Sequence, residues 1–133
     1  MSKVVLITGG SSGIGKTVGN FLLGNGYTVY GSSRNPESVG SSDFPLVAID
    51  VRNTESIQKA VHEIIALEGR IDVLINNAGV GITGPIEEIP LEEIQNNFHT
   101  NVFGPIEVMK AVLPYMRMQK AGLIINVTSI AGY

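Results

Sequence analysis

An α/β fold, built as a doubly wound parallel sheet with helices on both faces, is what this sequence predicts, and three observations predict it. Short apolar runs rich in Val, Ile and Leu recur along the chain without polar alternation, as strands buried on both faces require. Between them lie segments whose apolar residues repeat at helical spacing. Only 16% of the 133 residues are charged while 44% are hydrophobic, a balance that points to much interior and little surface. Strands alternating with amphipathic helices imply right-handed crossovers, so the sheet is expected to be parallel, and the doubly wound arrangement gives its five strands the order 3-2-1-4-5.

The first strand is Val4-Val5-Leu6-Ile7, an uninterrupted apolar run followed by Thr8 and two glycines. Residues 12–23 then read as a helix, with Ile14, Val18, Phe21 and Leu22 on one face. Gly24-Asn25-Gly26 should stop it, because Gly and Asn tolerate the left-handed conformation of helix ends. Residues 27–32 form the second strand and residues 46–50 the third. Asn53 or Thr54 caps the next helix, Glu55 suits its positive first turn, and Ile57, Ala60, Val61, Ile64 and Ile65 make its apolar stripe. Residues 71–76 are the fourth strand. Residues 91–118 are mostly helical, with a break expected near Gly104-Pro105, since proline lacks the N–H and clashes with the preceding turn, and a bend at Pro114. Gly122 should end that helix before residues 123–127 form the fifth strand. The sum is a Rossmann-like, nucleotide-binding arrangement in one domain, residues 1–133.

Composition narrows the function. Nine basic against 12 acidic residues give a net charge of −3, which argues against nucleic acid as a partner, because phosphate backbones need a basic surface. The chain has no cysteine, so disulfides, thiolate metal sites and a cysteine nucleophile are excluded, and a cytoplasmic setting is expected. No apolar run approaches the length of a signal peptide or of a membrane-spanning helix, so no membrane partner is expected. His62 and His99 lie on helices and read as surface or packing residues, and no metal site is expected.

In sheets of this kind ligands bind at the carboxyl ends of the strands. The first strand ends in Thr8-Gly9-Gly10-Ser11-Ser12-Gly13-Ile14-Gly15-Lys16-Thr17. Glycines let the backbone turn and approach a ligand, and the helix that follows offers free N–H groups and a positive dipole, so a phosphate fits there. One parse, Gly10-x4-Gly15-Lys16-Thr17, matches a P-loop, with Asp50 at the end of the third strand as a magnesium ligand. The other, Thr8-Gly9-x3-Gly13-Ile14-Gly15, resembles the dinucleotide loop of the short-chain dehydrogenase/reductase family. Three later segments favour the second parse: Asn76-Asn77-Ala78-Gly79, Asn101 in Thr100-Asn101-Val102-Phe103-Gly104, and Ile124-Ile125-Asn126-Val127-Thr128-Ser129. They follow in the family's order, on the expected elements, and the resemblance covers essentially the whole chain.

The resemblance implies that Gly9, Gly13 and Gly15 shape a pyrophosphate pocket to which Ser11, Ser12 and Ile14 add contacts. It implies that Asp50 holds the adenine amino group while Val51 donates from its backbone, and that Asn77, Ala78 and Gly79 line the ribose side. Asp50 could instead cap the following helix. NAD binding wants an acid at the end of the second strand to hold the ribose 2′-hydroxyl. Here that end reads Gly31-Ser32-Ser33-Arg34-Asn35. Arg34 can pair with a 2′-phosphate through a forked, charged contact, so NADP(H) is expected over NAD(H), the alternative being an exposed surface arginine.

For catalysis the family places a Ser on the substrate oxygen, a Tyr as acid/base and a Lys four residues on, whose charge lowers the Tyr pKa. Ser129 matches the Ser, and Asn101 matches the Asn that holds a water in the proton relay. No Tyr in the chain has a Lys four residues on, and Tyr133 lies too close to Ser129. The expected reaction is hydride transfer between nicotinamide and a small-molecule carbonyl or alcohol, in a protein that is a homo-oligomer when complete. The 133 residues are expected to be incomplete at the C-terminal end, inactive alone and prone to self-association through the apolar fifth strand. The alternative is a non-catalytic nucleotide-binding module.

Overall fold

The computed structural model describes residues 2–128. Its strands are β1 (Val4–Ile7), β2 (Thr28–Ser33), β3 (Leu46–Ala48), β4 (Val73–Asn76) and β5 (Leu123–Asn126), and its α-helices are α1 (Gly13–Gly24), α2 (Thr54–Glu68), α3 (Leu91–Phe98) and α4 (Gly104–Gln119). The strands pair in parallel in the order β3-β2-β1-β4-β5, as expected. Period-2 alternation divides the core between the two faces of the sheet. Val4 and Leu6 join Ile57, Val61, Ile64, Val108 and Val112 on the side of α2 and α4, whereas Val5 and Ile7 join Val29, Phe44 and Ile75 on the side of α1. All four β1 residues are at most 2% exposed, which explains why the strand carries no polar residue. Among the described residues no helix is long and apolar enough to cross a membrane.

Helix α1 departs from its apolar count. Ile14 and Phe21 are 65% and 68% exposed, and the packed side is made by buried Gly15 and Gly19 flanked by Val18 and Leu22. A Cβ on Gly19 would lie 2.5 Å from the Phe44 ring, so the absence of a side chain lets the helix settle on Phe44 and the sheet. Past its end, Gly26 takes the left-handed conformation at φ 87, while Asn25 stays at φ −104.

The break in the long helical segment also lies elsewhere. His99–Phe103 forms a π-helical turn between α3 and α4, and the Gly104 N–H donates to the His99 carbonyl. Pro105 follows in the first turn of α4, where a missing N–H is no loss. Helix α4 ends with Lys120 left-handed at φ 56 rather than at Gly122. Gly122 is required by packing, because a Cβ there would lie 2.5 Å from the Met116 sulfur.

The α1 face is covered unevenly. Register sets Leu123 beside Val73 and Ile125 beside Ile75, so the four residues share one face. Val73 and Ile75 are covered at least in part, but Leu123 and Ile125 are 54% and 42% exposed.

Candidate functional site

Parallel pairing brings every strand's carboxyl end to one edge, and the residues singled out from the sequence that lie among the described residues gather there. The glycine loop leaves β1 with Gly9 at φ 68 and Gly13 at φ 55, conformations that side chains disfavour. Gly15 approaches closely enough that a Cβ would lie 2.3 Å from the Gly9 carbonyl and 2.6 Å from the Asn77 amide. Ser12 is the N-cap of α1, yet its side chain makes no cap hydrogen bond, and the first turn carries no acid. The uncapped N–H groups and the positive end of the dipole are therefore open to an anion.

Two side chains the sequence reading passed over hold this loop. The buried Thr8 hydroxyl accepts from the Asn77 N–H at 2.9 Å and the Ala78 N–H at 3.0 Å. The buried Ser32 hydroxyl accepts from the Gly9 N–H at 3.2 Å, and its carbonyl accepts from the Gly10 N–H at 3.1 Å. Asn77 adds a bond from its side chain to the Gly9 carbonyl at 3.3 Å. Three strand ends are thus tied into one rim. Both Ser32 and Thr8 bind across strands, so no local pattern could have marked them.

A first groove, about 670 Å³, runs along this rim past Gly9, Ser11, Ser12, Arg34, Asp50 and Val51. The neighbouring ends of β2 and β3 form its far end: Ser33 pairs with Ala48, and Arg34 and Asp50, which follow within two residues, both line the groove. Arg34 is exposed and has no ion-pair partner among the described residues. Asp50 is not the cap of α2. That role belongs to Asn53, whose side chain accepts from the Ser56 N–H, while the Asp50 Oδ1 accepts from the Arg52 N–H at 3.0 Å. Among the described residues the Val51 N–H has no partner. Arg52, also on this groove, was not singled out from the sequence.

A second groove, about 690 Å³, lies beyond Ala78, Gly79 and Val80, which line both. Ile14 reaches it, which accounts for that residue's exposure, as do Asn77, Asn101 and Thr128. The Asn101 side chain is engaged at both ends: its Oδ1 accepts from the Val80 N–H at 2.9 Å and its Nδ2 donates to the Val80 carbonyl at 2.6 Å. Its own carbonyl faces a different situation, since Pro105, four residues on, has no N–H to offer it. On the same groove Asn76 donates to the Asn126 side chain at 2.9 Å across β4 and β5. Ser129, the expected catalytic serine, lies outside the described residues, as does Tyr133.

The geometry disfavours the P-loop parse. Thr17, which a P-loop aims at a metal, donates to the Gly13 carbonyl at 3.1 Å.

The family model described as short chain dehydrogenase matches residues 3–133. The chain is similar to the 3-ketodihydrosphingosine reductase of Bacteroides thetaiotaomicron, 47% identical over 131 residues that make up 98% of this chain and 48% of that protein. Among solved structures it is similar to a short-chain dehydrogenase from Streptomyces avermitilis, with a TM-score of 0.91 at 34% identity over 97% of this chain and 50% of that one. It is also similar to ElxO with NADP bound, with a TM-score of 0.89 at 34% identity over 99% of this chain and 57% of that one. The chain spans about half the length of the curated relatives it matches.

Proposed function

The chain belongs to the short-chain dehydrogenase family, and on that premise we propose that it carries the cofactor-holding part of an NADP(H)-dependent oxidoreductase. The reaction is hydride transfer between the nicotinamide and a carbonyl or alcohol carbon of a small molecule. One observation carries the cofactor reading: the end of β2 presents Arg34, with Ser33 and Asn35 and no acid, to the groove that also holds Asp50. A carboxylate at that place would repel a 2′-phosphate, whereas a guanidinium pairs with it.

The residues present fit the cofactor. The cradle at Gly15, which a Cβ would fill, and the uncapped start of α1 suit the pyrophosphate. The unengaged Val51 N–H and the Asp50 carboxylate suit the adenine edge. When bound, NADP(H) supplies or accepts the hydride. Within the chain, Ser129 orients the substrate oxygen and Asn101 holds the relay water. Because the Asn101 side chain is committed to Val80, its carbonyl is the atom we expect to hold that water. The 47% identical relative is a ketone reductase by name, which favours a ketone as the oxidised substrate here. No tyrosine is followed by a lysine four residues on, so these 133 residues alone are proposed to bind without turning over. The cytoplasmic setting expected from the cysteine-free sequence belongs to the same proposal.

Arg34→Asp tests the cofactor reading. It should weaken NADPH binding by roughly tenfold to a hundredfold, the worth of a charge-assisted hydrogen bond, while NADH binding holds or improves. Fluorescence titration of both nucleotides measures it. An unchanged ratio of the two affinities would sink the NADP(H) assignment.

A further inference from the structure

Val80 stands where the two grooves meet, as part of the wall that lines both. Its backbone groups are held by side chains from one distant segment. Asn101 takes both its N–H and its carbonyl, and Asn97 donates a second bond to the same carbonyl at 3.0 Å. Asn97 and Asn101 are four residues apart at the junction of α3 and the π-helical turn, a spacing that puts two side chains on one helix face. Val80 is 50% exposed, so it is not a core position. Two amide donors converging on the carbonyl of a surface residue fix the place of its backbone.

We infer that Asn97 is a positioning residue of the cofactor site. It shares with Asn101 the hold on Val80 and so keeps the wall from Ala78 to Val80 in place between the two grooves. The inference rests on the nucleotide reading above. Asn97 makes no other side-chain hydrogen bond among the described residues, and it is half-buried at the surface. Losing its amide therefore removes the hold without opening the core.

The test compares Asn97→Leu, which keeps the size and removes the donor, with Asn97→Gln, which keeps the amide, in the full-length polypeptide. NADPH affinity is read by fluorescence titration and folding by thermal melting without nucleotide. Asn97→Leu should weaken NADPH binding by roughly three- to tenfold, as for one lost hydrogen bond. Its melting point should shift by no more than about 2 °C, as for a surface change. Asn97→Gln should stay within about twofold of wild type, because its amide is retained. An Asn97→Leu protein that binds like wild type overturns the inference, as does an Asn97→Gln protein as weak as Asn97→Leu, or a matching loss of thermal stability. In all three cases wild-type binding remains and the nucleotide reading stands. If the wild type itself binds no NADPH, both fall together.

Discussion

The Thr8 hydroxyl accepts two backbone N–H groups, those of Asn77 and Ala78, while 2% exposed. Valine has the same shape and no acceptor, so Thr8→Val would leave both donors buried or force the wall to shift. We expect a loss of about 2 kcal/mol in stability, read as a lower urea midpoint, together with weaker NADPH binding. Thr8 also marks the limit of what a local reading sees. Gly9 and Gly13 were legible because their left-handed backbone follows from neighbours in sequence. Thr8, Ser32 and Asn97 act on partners 69, 23 and 17 residues away, and nothing beside them in the chain announces those partners. Arg34 and Asp50 fall between these cases: each was read from a strand end, and only the β2–β3 register places them on one groove.

Elements were legible where burial follows a period. The stripe of α2 was read residue by residue, and the strands were found within two residues of their ends, because short β-branched runs bounded by turn residues favour a strand over a helix. Helix α1 was misread because its packed side is glycine, and an apolar count gives glycine no weight. The π-helical turn escaped for a related reason. Pro105 signals an irregularity, but the fold displaces it by one turn so that proline can open α4 instead of breaking it.

Asp72 is buried, accepts from the Val4 N–H at 2.8 Å and pairs with the Arg70 guanidinium, so it pins β1 to β4 at the edge opposite the site. Burial works to raise its pKa, but the Arg70 and Val4 hydrogen bonds outweigh it and hold the carboxyl below the usual carboxylate range. Its stabilisation is therefore complete above the unfolded carboxylate pKa, near 4, and is lost as pH falls through the lower folded value. Asp72→Asn should cost about 2 kcal/mol at pH 7 and flatten the acid limb below about pH 4. Urea melts of both proteins across that range check it. An acid limb as steep as that of wild type would rule out Asp72 as its source.

At the scale of the molecule, the strand order was the most legible feature of all. Crossover handedness alone leaves more than one arrangement for five parallel strands, and the dinucleotide-binding pattern after the first strand selects 3-2-1-4-5 among them, the order found. The uneven covering of the α1 face was foreseen only as an apolar edge at β5. That Leu123 and Ile125 are bare on their face as well depends on how far α1 reaches across the sheet, which no periodicity encodes.

The Thr8 clamp has a kinetic meaning. Its two bonds close loops of 69 and 70 residues, and contacts so remote in sequence are slow to form. The wall beside the glycine loop therefore cannot take shape until β4 has docked on β1, late in folding, and a nucleotide finds nothing to bind before then. Ligands that recognise only the finished state act on escape from it, not on arrival. Saturating NADPH should slow unfolding in stopped-flow denaturant jumps while leaving the refolding rate unchanged. Accelerated refolding would mean that the loop is assembled early, before the sheet is whole.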